Sequence, residues 1–338
     1  MIKTGEWGSM KYKKSIILLM LAIFLFSITS VCASEIDTPI ASEDTSQVGL
    51  SDIDKVIEDN PQTSEEKLEL GVDDEILNEQ TDIDVLGDSP ATYSHLASEI
   101  SKTGNVILAN KTYTYDDGAT AITVSEDNKV IDGNGAVIDM AGSTIRAFTV
   151  SASGVTIKNL TIKNANYNGD GGAIYFSQSG TVSNCNFTNN QATSGGAVYF
   201  NTNGEVTNCN FTNNSATSYG GAIWMDSGSV ENCNFTNNSA NDGGGAIIMG
   251  SGTVTNCNFT DNKATSGGAV HFSSTGTVTN CNFTNNQATR WGGAVYFYKG
   301  TVKNCNFTDN HASYGGAVYF NYDGDVRNCN LSFDWKCQ

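Results

Sequence analysis

Basic residues are scarce. The 338-residue chain carries 18 Lys and Arg against 36 Asp and Glu, a net charge of −18, and a balance this acidic argues against nucleic acid as a partner. Histidine is scarcer still: His95, His271 and His311 are the only three, and they fall in unrelated places. The carboxylates of the C-terminal half are scattered singly, Glu205, Asp226, Glu231 and Asp261 among them, with Lys299 and Lys303 nearby. Polysaccharide-cleaving solenoids need carboxylates that converge, to hold calcium or to act as acid and base. No such convergence is expected here, so the chain reads as non-catalytic, without cofactor or metal. Asp116-Asp117 and Asp132 lie in less regular sequence and read as solvated acids.

Long apolar runs are rare too. One stands out, Ile16 to Ile28, preceded by Lys11, Lys13 and Lys14 and followed by the small residues Val31-Cys32-Ala33. This is the pattern of an export signal spanning residues 1–33, and it places the protein outside the cell, secreted or on the surface. Left uncleaved, Ser15 to Ala33 would make a marginal anchor against the ~20 residues of a spanning helix. Membrane contact is expected through that segment alone. Residues 34–90 then hold 18 acidic side chains against Lys55 and Lys67. Their apolar groups are too sparse for a core, and the segment reads as a disordered, self-repelling linker, its ends on the order of 40 Å apart.

What is abundant is repetition. From residue 171 one unit recurs, "GGAVYFNTNGEVTNCNFTNNSAT" in one instance, with cysteines at Cys185, Cys209, Cys233, Cys257, Cys281, Cys305 and Cys329, each 24 residues after the last. The Gly-Gly pairs drift against this register, so one turn varies in length while the whole circuit is constant. A period of this size signals a solenoid. Three short runs of alternating pattern per unit, with no stretch long enough for a helix, specify three strands per turn. The fold class is therefore all-β: a single-stranded right-handed parallel β-helix of about 24 residues per coil.

The pattern assigns positions within a coil. Ile174, Phe176, Val182, Cys185 and Phe187 face inward. Asn184 and its equivalents form one corner, the Asn190 series a second and the Gly pairs a third, each residue type tolerating or supporting a tight turn. "GVTIKNLTIKNA" at 154–165 aligns with the repeat and puts Leu160 in the cysteine slot, so the cysteines read first as small buried apolar residues. Disulfides between coils are the alternative that export would favour, although stacked side chains run parallel and hold their Cβ atoms too far apart. A straight row of thiols does not converge into a metal site. Residues 91–170 form less regular coils, opened by a short amphipathic helix at 93–104 that caps the first of them; residues 171–338 are the regular repeats.

Function is sought on the outward rows. One reads Tyr175, Tyr199, Trp224, Ile248, His271, Tyr296 and Tyr319, and the variable turns add Tyr219, Trp291 and Tyr314. Such a row suits sugar rings or a protein partner; equally, aromatic residues simply suit strands and stack on one another. Asn-x-Ser/Thr acceptors recur along the Asn186 row and also occur at Asn110, Asn159, Asn213 and Asn237.

The Gly-Gly-Ala-Ile/Val units with Phe-x-x-Asn resemble the repeats of chlamydial polymorphic outer membrane proteins. The Asn-Cys-x-Phe units, the acidic leader and "IDGNG" are similar to adhesin-like surface proteins of methanogenic archaea. The resemblance implies a right-handed, pectate-lyase-like β-helix over roughly residues 91–332, and it implies an adhesin that binds glycans or surface components of other cells. A passive surface-layer spacer and a polysaccharide lyase or hydrolase are the other readings. The repeat ends after Leu331, and the open edge this leaves is expected to reflect either a truncated chain or end-to-end self-association.

Overall fold

The constant 24-residue circuit becomes constant strand pairing. The computed structural model describes residues 84–85 and 91–332; the expected export signal and nearly all of the expected linker lie outside these. Strands pair in parallel with their equivalents in neighbouring coils, giving sheets of fifteen, ten and five strands. The ten-stranded sheet shows the register most plainly: Asn186, Phe187 and Thr188 pair with Asn210, Phe211 and Thr212, and so on to Asn330–Ser332. Leu160 is buried one coil before Cys185, and Ile157 and Ile162 pair with Val182 and Phe187 as the alignment requires.

The interior is a bundle of columns. Phe187, Phe211, Phe235, Phe259, Phe283 and Phe307 stack with ring centroids 4.8–4.9 Å apart, the strand spacing itself. Beside them run the Val182 and Cys185 columns, all buried until the last described coil. The helix Tyr93–Ile100 turns Tyr93, Leu96 and Ile100 onto the first coils, with the Thr92 side chain capping it by accepting from the His95 N–H. The Tyr93 hydroxyl donates to Ala147 O and accepts from Ile122 N, locking the cap to the first rungs. One feature differs from expectation: Asp84–Val85, within the stretch read as linker, pairs as a strand with Val106–Ile107.

The corners show why the repeat tolerates so little substitution. Asn184 and its equivalents adopt φ of 52–55°, a left-handed conformation that Asn accepts readily. At the second corner the left-handed residue is the one before the expected position (Asn189, Asn213, Asn237, Asp261, Asn285, Asp309). The residue after it is buried in all but the last of these coils, where Asn310 is partly buried, and its amide ties the coils together. Asn214 Nδ2 donates to Phe187 O at 3.0 Å and to Asn238 Oδ1 at 3.1 Å, while its own Oδ1 accepts from the Asn190 N–H and Nδ2.

The cysteines do more than fill space. All seven in the column are unbridged. The N–H of Cys209 donates to Cys233 Sγ at 3.3 Å, and the Cys209 thiol donates to Thr207 O at 3.1 Å; the same pair of contacts repeats along the column. Sulfur thus accepts a backbone N–H next to the Asn bend, a weak bond that leucine does not make. The neighbouring thiol and burial push Cys281 up to about 12, and the same causes raise Cys209, Cys233, Cys257 and Cys305, which suppresses the reactive thiolate. Cys329 is only partly buried. Peptide-mapped alkylation of the native protein should therefore label Cys329 first among the seven and leave Cys209 to Cys281 unlabelled until denaturant is added. Equal labelling along the column would contradict the packing.

Candidate functional site

The third corner builds the most distinctive outward surface. The first glycine of each pair has φ of 61–71°, and the chain turns there from the five-stranded sheet into the fifteen-stranded one. The residue before the pair aligns from coil to coil: Asp170 with Ser194, then Tyr219, Gly243, Ser266, Trp291 and Tyr314. Just beyond the pair, Tyr175, Tyr199, Trp224, Ile248, His271, Tyr296 and Tyr319 pair in register. Two rows rich in aromatic residues therefore run side by side along one corner. They are offset by one coil, since Trp291 lies 6.4 Å from Tyr319 and a Cβ on Gly243 would meet His271 Nδ1 at 2.8 Å.

The second row is a column of stacked rings. Tyr175, Tyr199 and Trp224 are separated by 5.4 and 4.3 Å, and His271, Tyr296 and Tyr319 by 4.4 and 5.6 Å. Buried Ile248 divides the two runs. At these spacings ring faces are spent on one another, so a ligand meets edges and hydroxyls rather than a face. Burial pushes Tyr199 up to about 12, with Asp170 adding to it, and pushes His271 down to about 4, so the imidazole is neutral at neutral pH. Arg146 closes one end, its guanidinium 4.3 Å from the Tyr167 ring centroid and 4.7 Å from that of Tyr175.

The turn residues behave differently. Tyr219 is 41% exposed and Tyr314 61%, and Trp291 is half-buried beneath Arg290, whose guanidinium lies 4.4 Å from the indole centroid. Two aromatic residues missing from the sequence reading join them. Tyr298 and Tyr322 are exposed, with ring centroids 4.6 Å apart. Tyr298 lies two positions after Tyr296 on the same face, a signal the alternation already carried.

Other sequence candidates fall elsewhere. Asn110, Asn213 and Asn237 are exposed, with Asn237 Nδ2 donating to Asn213 Oδ1 at 2.8 Å. Asn159 already uses its amide nitrogen in donating to Asp132 Oδ1 at 2.9 Å. Asp132, expected as a solvated acid, is instead half-buried and held by Asn134 N–H, Asn159 and Lys158. These contacts outweigh its burial and keep its pKa below the usual range. Glu205 and Glu231 lie on adjacent coils two positions out of register, both exposed. Among the described residues no group of three or more His, Cys, Asp or Glu is placed to hold a metal.

Two overlapping stretches of the chain, residues 97–255 and 196–333, match the family model described as a right handed beta helix region. No curated protein matches the chain.

Proposed function

Because the chain belongs to the right-handed β-helix family, a fold that hosts enzymes and non-enzymes alike, we propose that it is a non-catalytic, adhesin-like protein, exported to the cell surface. Its solenoid presents the double-row corner to glycans or to surface components of other cells. The observation that carries this reading is the alignment of Tyr219, Trp291 and Tyr314, all at least partly exposed, beside the stacked column. The rigid column positions hydroxyls and ring edges at the repeat of the solenoid, while the turn residues supply open aromatic area. Amphipathic rings of this kind contribute most at recognition surfaces.

The test is binding of the purified chain to a glycan panel and to whole cells, beside a variant with Tyr219, Trp291 and Tyr314 changed to Ser. Saturable binding by the native chain is expected, weakened about tenfold or more in the variant with its thermal midpoint unchanged. No binding by the folded native chain would reject the adhesin reading and leave a passive spacer. Cleavage of a glycan would return the enzyme reading, with Glu205 and Glu231 the first residues to replace.

A further inference from the structure

We propose that Arg290, Trp291, Tyr314 and Tyr319 together form a site for a sugar bearing a carboxylate. This rests on the glycan-binding reading and assigns it a ligand class and a position. Residues 171–332 contain only five cations, and Arg290, Lys299, Lys303 and Arg327 fall within the last coils. Lys299 and Arg327 are paired, with Asp323 at 3.8 Å and Asp325 at 2.6 Å. Arg290 is exposed and makes no ion pair with a carboxylate among the described residues.

In a chain this acidic, a guanidinium without a carboxylate partner is conspicuous, and its placement is specific. It lies over the indole of Trp291, 4.4 Å from the ring centroid, a contact that holds the planar fork at the surface, where its paired N–H groups suit both oxygens of a carboxylate. Tyr314 pairs with Trp291 along the row and takes part in no ring stack among the described residues, so a ring face is open to the apolar side of a pyranose. Tyr319 borders the site, its ring tilted 40° to the indole. Arg146 provides the contrast: half-buried and close to two rings, it acts as a clamp on the end of the column. One free planar cation beside one open aromatic face matches a single acidic sugar residue better than an extended peptide.

The experiment titrates the full chain with three hexasaccharides: one containing glucuronate, one ending in sialate, and the carboxyl-reduced, neutral form of the first. At least one acidic hexasaccharide should bind about tenfold or more tighter than the neutral one. Arg290→Gln should abolish that preference while leaving affinity for the neutral sugar and the thermal midpoint unchanged. Arg290→Lys, which keeps the charge but loses the fork, should lose most of it. Equal affinity for acidic and reduced forms, an unaffected Arg290→Gln variant, or polyglutamate competing as well as the acidic sugar would each overturn the proposal. If the acidic and neutral forms bind equally, and both are lost in the Tyr219, Trp291 and Tyr314 variant, the glycan-binding reading survives and only the acidic site falls. If no hexasaccharide binds while whole cells still do, the acidic site again falls alone.

Discussion

Asn238→Ala is expected to destabilise the solenoid by roughly 3–5 kcal/mol, although it alters one uncharged side chain far from any proposed ligand. Asn238 is fully buried. Its Nδ2 donates to Phe211 O at 3.0 Å and to Asn262 Oδ1 at 3.1 Å, and its Oδ1 accepts from Asn214 N at 2.9 Å and Asn214 Nδ2 at 3.1 Å. Alanine removes all four bonds, opens a cavity and leaves the Asn214 N–H facing apolar surroundings without an acceptor. An unmet buried donor costs more than a hydrogen bond contributes on average. Asn310 supplies a comparison within the same column. It is only partly buried and, among the described residues, has no following rung to donate to, so water replaces part of what Asn310→Ala removes, and its cost should be about half as large. Thermal midpoints, with hydrogen exchange of the flanking coils, would measure both. A loss of less than about 1 kcal/mol for Asn238→Ala would mean the amide column is not what ties the coils together.

Gly268→Ala should be still less tolerated, and Gly316→Ala, the same substitution two coils later, nearly silent. A Cβ on Gly268 would lie 2.1 Å from Gly293 O and 2.7 Å from Gln287 N and C. All three are backbone atoms of the next coil, so no side chain can swing aside. The coils would have to separate locally, breaking ladder bonds in adjoining sheets, and the cost belongs to the exceptional class above about 4 kcal/mol. Among the described residues a Cβ on Gly316 would meet only Asn310 O, at 3.5 Å, an ordinary contact. Replacement there should fall within about 0.5 kcal/mol of the native chain. Soluble yield and thermal midpoint suffice to separate the two. Similar behaviour of the pair would show that coil spacing relaxes more easily than this packing implies.

Much of the architecture was legible without coordinates. A 24-residue interval between cysteines, with alternation inside it, leaves few alternatives to stacked parallel coils. Since strand side chains alternate faces, the inward rows of Ile174, Phe176, Val182 and Phe187 followed from their sequence alone, and all are buried. The Asn184 bend and the Gly corner were equally open, because few residues other than Asn and Gly take left-handed conformations at small cost. The cap helix could be recognised from its amphipathic pattern.

The outward surface was another matter. Period-two alternation tells which side chains leave the core but carries nothing about what they meet outside it. That the rings of Tyr199 and Trp224 lie face to face depends on coil spacing and side-chain rotamers, both set by packing across the whole stack. That Arg290 covers Trp291, and that the turn residues align despite insertions of different length, depends on how each variable turn folds back onto its neighbour. Sequence by itself determined the repeat, the circuit and the buried columns, since these follow from local periodicity and steric preference. Tertiary structure alone decided which aromatic faces remain open, which carboxylates are already engaged, and why a sulfur rather than a methyl group sits at the bend, because those are contacts between coils about 24 residues apart.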